Sequence, residues 1–126
     1  MPVQSPYVVC FTLTITTPAS GPFQLYPILA GGSAPSGTSL GAALSYTPTG
    51  KVASQVIIQN DPASTAGCYV YIGDSTLSAT NKGNSLAVGQ SVSFLPGRGS
   101  NAWLNGIYVN STSAASVLVN ITVLYG

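Results

Sequence analysis

Asp61 and Asp74 are the only carboxylate side chains in this 126-residue chain, Lys51, Lys82 and Arg98 are its only cationic ones, and it has neither histidine nor glutamate. Each aspartate sits among turn formers, Asn60-Asp61-Pro62 and Gly73-Asp74-Ser75, where a carboxylate ordinarily accepts a backbone N–H two residues on as an Asx turn. General acid–base catalysis needs a positioned pair or an imidazole. Serine is plentiful, but no side chain is suited to take its proton, so nucleophilic catalysis has no base. Transition metals would require histidine or clustered cysteine, and calcium several carboxylates. Asp74 with Asn81 or Asn84 offers only two or three weak oxygens. The chain reads as a non-enzyme, with no cofactor and no metal site.

Recognition has more material than catalysis. In Cys68-Tyr69-Val70-Tyr71-Ile72-Gly73 the alternation puts Val70 and Ile72 on one face and Tyr69 and Tyr71 on the other, and Tyr108 is placed to join them. Outward tyrosines serve either as protein-interface anchors or as stacking platforms for sugar rings. The plainer alternative is that a second layer or the N-terminal segment covers them. Arg98, between Gly97 and Gly99, is either presented to a partner's carboxylate or carbonyl groups or is an exposed loop tip. Tyr69, Tyr71, Tyr108 and Arg98 are therefore the candidate interface residues. Cys10 and Cys68 read as small core residues rather than a disulfide. Asn110-Ser111-Thr112 and Asn120-Ile121-Thr122 fit the glycosylation sequon, as chance matches in a chain so rich in Ser, Thr and Asn.

These residues must be held by strands. The centre of the pattern is Val56-Ile57-Ile58-Gln59-Asn60 and Cys68–Gly73, read as paired or neighbouring strands joined by the seven residues Asp61–Gly67. The stretch Tyr7–Thr16 alternates, with Val9, Phe11, Leu13 and Ile15 inward and Thr12, Thr14 and Thr16 outward. Phe23–Tyr26 reads as a short strand ending at Pro27. Gly31–Ser39 reads as a long loop or an arm laid on a neighbour. Leu40–Tyr46 is ambiguous between helical turn and strand, and Thr47-Pro48-Thr49-Gly50 is a turn. Further on, Leu86–Gln90 reads as a tight turn into Ser91–Leu95. Trp103–Val109 reads as one strand with Trp103, Ile107 and Val109 sharing a face. The last strand, Val117–Tyr125, turns Val117, Val119, Ile121, Val123 and Tyr125 inward.

Many short strands with turn signals every ~8–12 residues and no sizeable amphipathic helix imply an all-β, antiparallel β-sandwich. The uneven connections favour jelly-roll or Greek-key wiring. The length suits a single domain over residues 1–126. Residues 1–50 carry the strand at about 7–16 plus arm and loop segments, irregular and rich in Gly, Ser and Pro, and residues 52–126 carry the regular strands.

Charged residues make up 4% of the chain, against ~25% in an ordinary domain. Its 45% hydrophobic content argues against disorder, and no apolar run approaches the ~20 residues of a membrane-spanning helix. A net charge of +1 supplies no basic stripe for nucleic acid. The start, Met1–Pro6, lacks a basic n-region and does not read as a secretory signal. The surface must be mainly Ser, Thr, Asn, Gln and Gly, with little repulsion against association.

From Gln55 onward the chain resembles the small all-β structural proteins of tailed bacteriophage virions. The likeness lies in the strands Val56–Asn60 and Cys68–Gly73, the turn-and-strand Leu86-Ala87-Val88-Gly89-Gln90-Ser91-Val92, the closing Gly106-Ile107-Tyr108-Val109 and the last hydrophobic strand. The resemblance implies a capsid decoration or cement subunit, or a small head or tail accessory protein, located in the virion. Its expected partners are the major capsid protein and further copies of itself, a homo-oligomer and specifically a trimer, with no nucleic acid and no membrane. The competing expectations are a receptor- or glycan-binding module using Tyr69, Tyr71 and loop Asn residues, and a secreted or surface-layer structural protein.

Overall fold

A computed structural model of the chain describes residues 7–31, 33–42, 53–78, 80–95, 102–112 and 117–125. Among these, nine strands form two antiparallel sheets packed as an all-β sandwich. They are β1 (Tyr7–Ile15), β2 (Phe23–Gln24), β3 (Thr38–Leu40), β4 (Ala53–Asn60), β5 (Tyr69–Gly73), β6 (Asn84–Ala87), β7 (Ser91–Phe94), β8 (Tyr108–Ser111) and β9 (Val117–Tyr125). The five-stranded sheet runs β3-β1-β9-β4-β7 and the four-stranded sheet β2-β8-β5-β6. Among the described residues no helix is long and apolar enough to cross a membrane.

The core follows from alternation. Val9, Phe11, Leu13 and Ile15 of β1 and Val117, Val119, Ile121, Val123 and Tyr125 of β9 are all buried, as period-2 patterning requires of strands with one face inward. They meet Val70, Ile72 and Val109 from the other sheet in one cluster. Each such side chain contributes about 1.5–3 kcal/mol on burial. The mechanical centre is β9, flanked by β1 along its whole length and by β4 on its other side.

The strands β4 and β5, expected to pair or lie side by side, belong to opposite sheets. The connection between them is an arch across the sandwich, and its anchors explain why. Ser64, buried within it, donates from Oγ to the Leu118 carbonyl at 3.1 Å and accepts the Leu118 N–H at 3.0 Å. Asp61 N–H also donates to the Leu118 carbonyl, at 3.0 Å. The arch thus prolongs the β4–β9 ladder before it crosses over.

Asn60 is the clip at that corner. Fully buried, it donates from Nδ2 to the carbonyls of Cys68 (3.2 Å) and Leu86 (3.0 Å). Its backbone N–H donates to Gln90 O at 2.9 Å, and its carbonyl accepts Gly89 N–H at 2.8 Å. One residue at the end of β4 thereby holds the entry to β5, the end of β6 and the turn into β7. The turn expected over Leu86–Gln90 is confined to Val88–Gln90, because Leu86 and Ala87 belong to β6, and it joins strands of different sheets. Gly89 has φ +86°, a conformation glycine adopts without the Cβ penalty.

Four other expectations change. Phe23–Gln24 is a strand, but the chain then enters helix α1 (Leu25–Gly31). Pro27 is accommodated in its first turn, where no N–H is required. Leu25, Ile28 and Leu29 are buried at i, i+3 and i+4. The described part of the Gly31–Ser39 segment is a loop that ends in a strand on its own sheet. Gly37 O accepts the N–H groups of Thr16 (2.9 Å) and Thr17 (3.0 Å), and β3 pairs with β1. Trp103–Val109 is not one strand, since Ala102–Gly106 is a 3₁₀ turn and β8 starts at Tyr108. Tighter winding swings Leu104 fully inside. Finally, the two cysteines are free and unlike: Cys68 is in the core as expected, while Cys10 faces outward on β1. Residues 1–6, 43–52, including Lys51 and the Thr47–Gly50 turn, and the loop of Arg98 lie outside the described residues.

Candidate functional site

The outward row of the four-stranded sheet brings together three of the four candidate interface residues. Across β5 and β8 the register sets Tyr71 opposite Asn110 and Gly73 opposite Tyr108, so Tyr69, Tyr71 and Tyr108 share the outer face. Arg98, the fourth, lies outside the described residues.

Sharing a face does not give them equal access. Tyr69 is 43% exposed, Tyr108 is half-buried and Tyr71 is only 8% exposed. Tyr71 points outward as alternation implies but is covered, the plainer alternative left open by the sequence, and the cover is two loops of the same chain. One comprises residues 74–78 and 80–83. Its single large apolar residue, Leu77, is buried and packs over Gly73, where an added Cβ would stand 2.8 Å from Leu77 Cδ2. The loop closes at Gly83, with φ +57° and an added Cβ only 2.3 Å from Ile72 O. Both its conformation and its space exclude a side chain.

Asp74 starts this loop as the Asx turn expected of it, accepting the backbone N–H of Thr76 at 2.9 Å and also the Thr76 hydroxyl. Those bonds, the hydroxyl's first, hold its carboxyl below the ordinary value of 3.8. Asn81 ties back to Thr76 Oγ1 at 2.7 Å. The second part of the roof is the 3₁₀ turn Pro18–Ser20. It is fastened by Asn110, whose Nδ2 donates to Pro18 O at 3.2 Å while its Oδ1 accepts Ser111 N–H at 2.9 Å.

Between the two loops remains a hollow of about 480 Å³ lined by Pro18, Ala19, Tyr71, Leu77, Lys82 and Asn110, among others. The Lys82 ammonium stands 5.7 Å from the Tyr71 ring centroid, within cation–π range. Sequence reasoning did not single out Lys82. The signal was Leu77, an isolated large apolar residue in a polar loop, which must fold back to be buried and so carries the lysine over β5.

The outer face of the five-stranded sheet differs in kind. Its described outward side chains are Val8, Cys10, Thr12 and Thr14 on β1, Leu118, Asn120, Thr122 and Leu124 on β9, Gln55, Ile57 and Gln59 on β4, Ser91 and Ser93 on β7, and Ser39 on β3. None is charged. Across its middle runs a hydrogen-bonded chain. Thr12 Oγ1 donates to Asn120 Oδ1 at 2.8 Å, and Asn120 Nδ2 donates to Gln59 Oε1 (3.1 Å) and Asp61 Oδ2 (2.7 Å). Asp61 also closes its own Asx turn on Ala63 N–H at 2.7 Å. A second hollow, of about 540 Å³, opens on this face beside Cys10, Thr12 and Asn120.

No family model matches the chain, and no curated protein and no solved structure is significantly similar to it. Among the described residues no three of His, Cys, Asp and Glu gather as a metal set would.

Proposed function

We propose that this chain is a non-enzymatic structural subunit of a bacteriophage virion, a capsid decoration or cement protein that bridges coat subunits and assembles with copies of itself. The observation that carries this reading is the outer face of the five-stranded sheet. Every described outward side chain of its strands is uncharged, the one carboxylate beside it, Asp61, is hydrogen-bonded by Asn120 and Ala63, and Val8, Ile57 and Leu124 supply apolar area between the polar groups. Such a face, almost free of charge, costs little to dehydrate against a neutral partner surface. The strand order lends further support. With β3 set aside, the order β1-β9-β4-β7 facing β2-β8-β5-β6 supports reading the sandwich as an eight-stranded jelly roll, an architecture used by capsid and lectin domains alike. Fold analogy of this kind guides the choice of function and does not decide it.

The test is cosedimentation of the full chain with shells of its own coat protein. Binding should persist from about 0.1 M to about 1 M salt, since few ion pairs are available to be screened. Thr122→Lys, at the centre of the face between Cys10 and Ile57, should weaken it roughly tenfold or more while leaving the fold intact. Light scattering should report a homo-oligomer, a trimer. Loss of binding at high salt, or equal binding by the lysine variant, would count against this reading.

A second reading, a receptor- or glycan-binding module, is favoured by one specific feature, the walled hollow over Tyr71. It uses the opposite face of the sandwich and is compatible with the first.

A further inference from the structure

The hollow over Tyr71 has the size of a small-molecule site, and its unused hydrogen-bonding capacity is specific. Most polar groups around it are engaged. Both ends of the Asn110 amide are occupied, and Ser78 Oγ accepts the N–H groups of Thr80 and Asn81. Two groups stand apart. Tyr71 is more than nine-tenths buried and lines the hollow, yet its hydroxyl has no hydrogen-bond partner among the described residues. The Lys82 ammonium has the Tyr71 ring beneath it and no carboxylate paired with it among the described residues. Both groups reach solvent at the hollow, so a ligand can engage them without displacing a hydrogen bond inside the protein. In a chain with three cationic side chains in all, one of them placed over this ring marks the spot further.

What remains free is one full positive charge and one hydroxyl, both able to donate. The complement is a singly charged acceptor, a carboxylate; a phosphate dianion would leave charge uncompensated. The walls restrict its carrier. Pro18, Ala19 and Leu77 offer apolar surface to the C–H face of a compact ring. An extended peptide would need a length of open backbone edge, whereas this hollow is closed on two sides by Pro18 and Ala19 and by Leu77, Ser78 and Lys82. We propose that the hollow binds a carboxylate-bearing sugar, an acidic monosaccharide unit of a glycan, with its carboxylate on Lys82 and the Tyr71 hydroxyl. This inference rests on the glycan-binding reading and makes it specific.

The experiment is a titration of the ¹⁵N-labelled full chain followed by amide shifts, with five probes: glucuronate, N-acetylneuraminate, glucose, N-acetylglucosamine and acetate. At least one acidic sugar should bind in the millimolar range, with shifts centred on Tyr71, Leu77 and Lys82, and should bind about tenfold or more tighter than the neutral sugars. Lys82→Gln should remove that preference, and Tyr71→Phe should weaken acidic-sugar binding about three- to tenfold. Both variants should fold as the parent does, because neither group has a hydrogen-bonded protein partner to lose. Neutral and acidic sugars binding equally would overturn the carboxylate assignment and leave the glycan reading standing. Acetate binding as tightly as the acidic sugars would overturn the sugar. No localised shift with any sugar up to about 50 mM, well above millimolar affinity, would overturn both the inference and the glycan reading.

Discussion

The two outer faces of the sandwich are made by the same rule and finish differently. In each sheet, alternation sends one row of side chains into the core and the other row out. On the five-stranded sheet the outward row is Thr, Asn, Gln, Ser and short aliphatics, stitched by the Thr12–Asn120–Gln59 chain. On the four-stranded sheet it contains tyrosines, and the chain spends two loops covering the middle one. A polar outward row can stay open to water or to a partner. An aromatic one presents a large apolar area, so burying it is favourable whenever a loop can be shaped to the purpose. The difference separates the two proposed roles, a protein-facing surface on the five-stranded sheet and a ligand hollow on the four-stranded one.

The contrast depends on the sheets being held in register at one corner, and Asn60 is where to break it. Asn60→Asp keeps the shape but replaces the Nδ2 donor by an acceptor facing the carbonyls of Cys68 and Leu86. Two buried carbonyls lose their partner and a carboxyl is buried with them, which should cost about 3 kcal/mol or more. Urea unfolding should show the loss, and amide exchange should accelerate in both sheets. A change within ~0.5 kcal/mol, the range of an ordinary surface substitution, would show that the arch and the Val88–Gln90 turn hold the corner without this side chain.

Leu77→Ala attacks one face only. Removing the buried side chain that packs over Gly73 should destabilise by about 2–4 kcal/mol. Because the loss is confined to the roof, exchange should quicken along β5 and β6 while β9 and β1 keep their protection. Uniform acceleration across both sheets would mean that roof and sandwich unfold as one unit, and that the two faces differ in appearance only.

How much of this was legible in the sequence depended on the range of the interaction involved. The long strands β1 and β9 were readable because a period of 2 sustained over Tyr7–Ile15 and Val117–Tyr125 has one physical meaning, a half-buried strand. The Asx turns at Asp61 and Asp74 were readable because their partners lie two residues away. Where the fold turns on distant partners the pattern failed. Nothing in Val56–Asn60 or Tyr69–Gly73 states that they face each other across a core, since that is set by Ser64 reaching Leu118 and Asn60 reaching Leu86. Alternation also predicted which way Tyr71 points but not what lies above it. In Trp103–Val109 the spacing imitated a strand, and the 3₁₀ turn that breaks it is favoured by the chance to bury Leu104.

The smallest effect concerns the opening of the roof loop and should appear only in acid. Asp74 is bonded by Thr76 and its carboxyl is held below 3.8 in the folded chain. A depressed folded value means that the unfolded chain takes up the proton first. The contribution of Asp74 is therefore complete above its unfolded value and is lost as pH falls toward the folded one. Asp74→Asn keeps an oxygen to accept the Thr76 N–H but cannot titrate. The urea midpoint of the parent should therefore fall more steeply than that of the variant below about pH 4, and the two curves should run parallel above about pH 5. With no histidine and no glutamate in the chain, both should be nearly level from about pH 5.5 to about 7.5. If parent and variant decline together in acid, Asp74 is a solvated carboxylate that the turn does not need, and the roof over Tyr71 is held by Leu77, Gly83 and Asn81 without it.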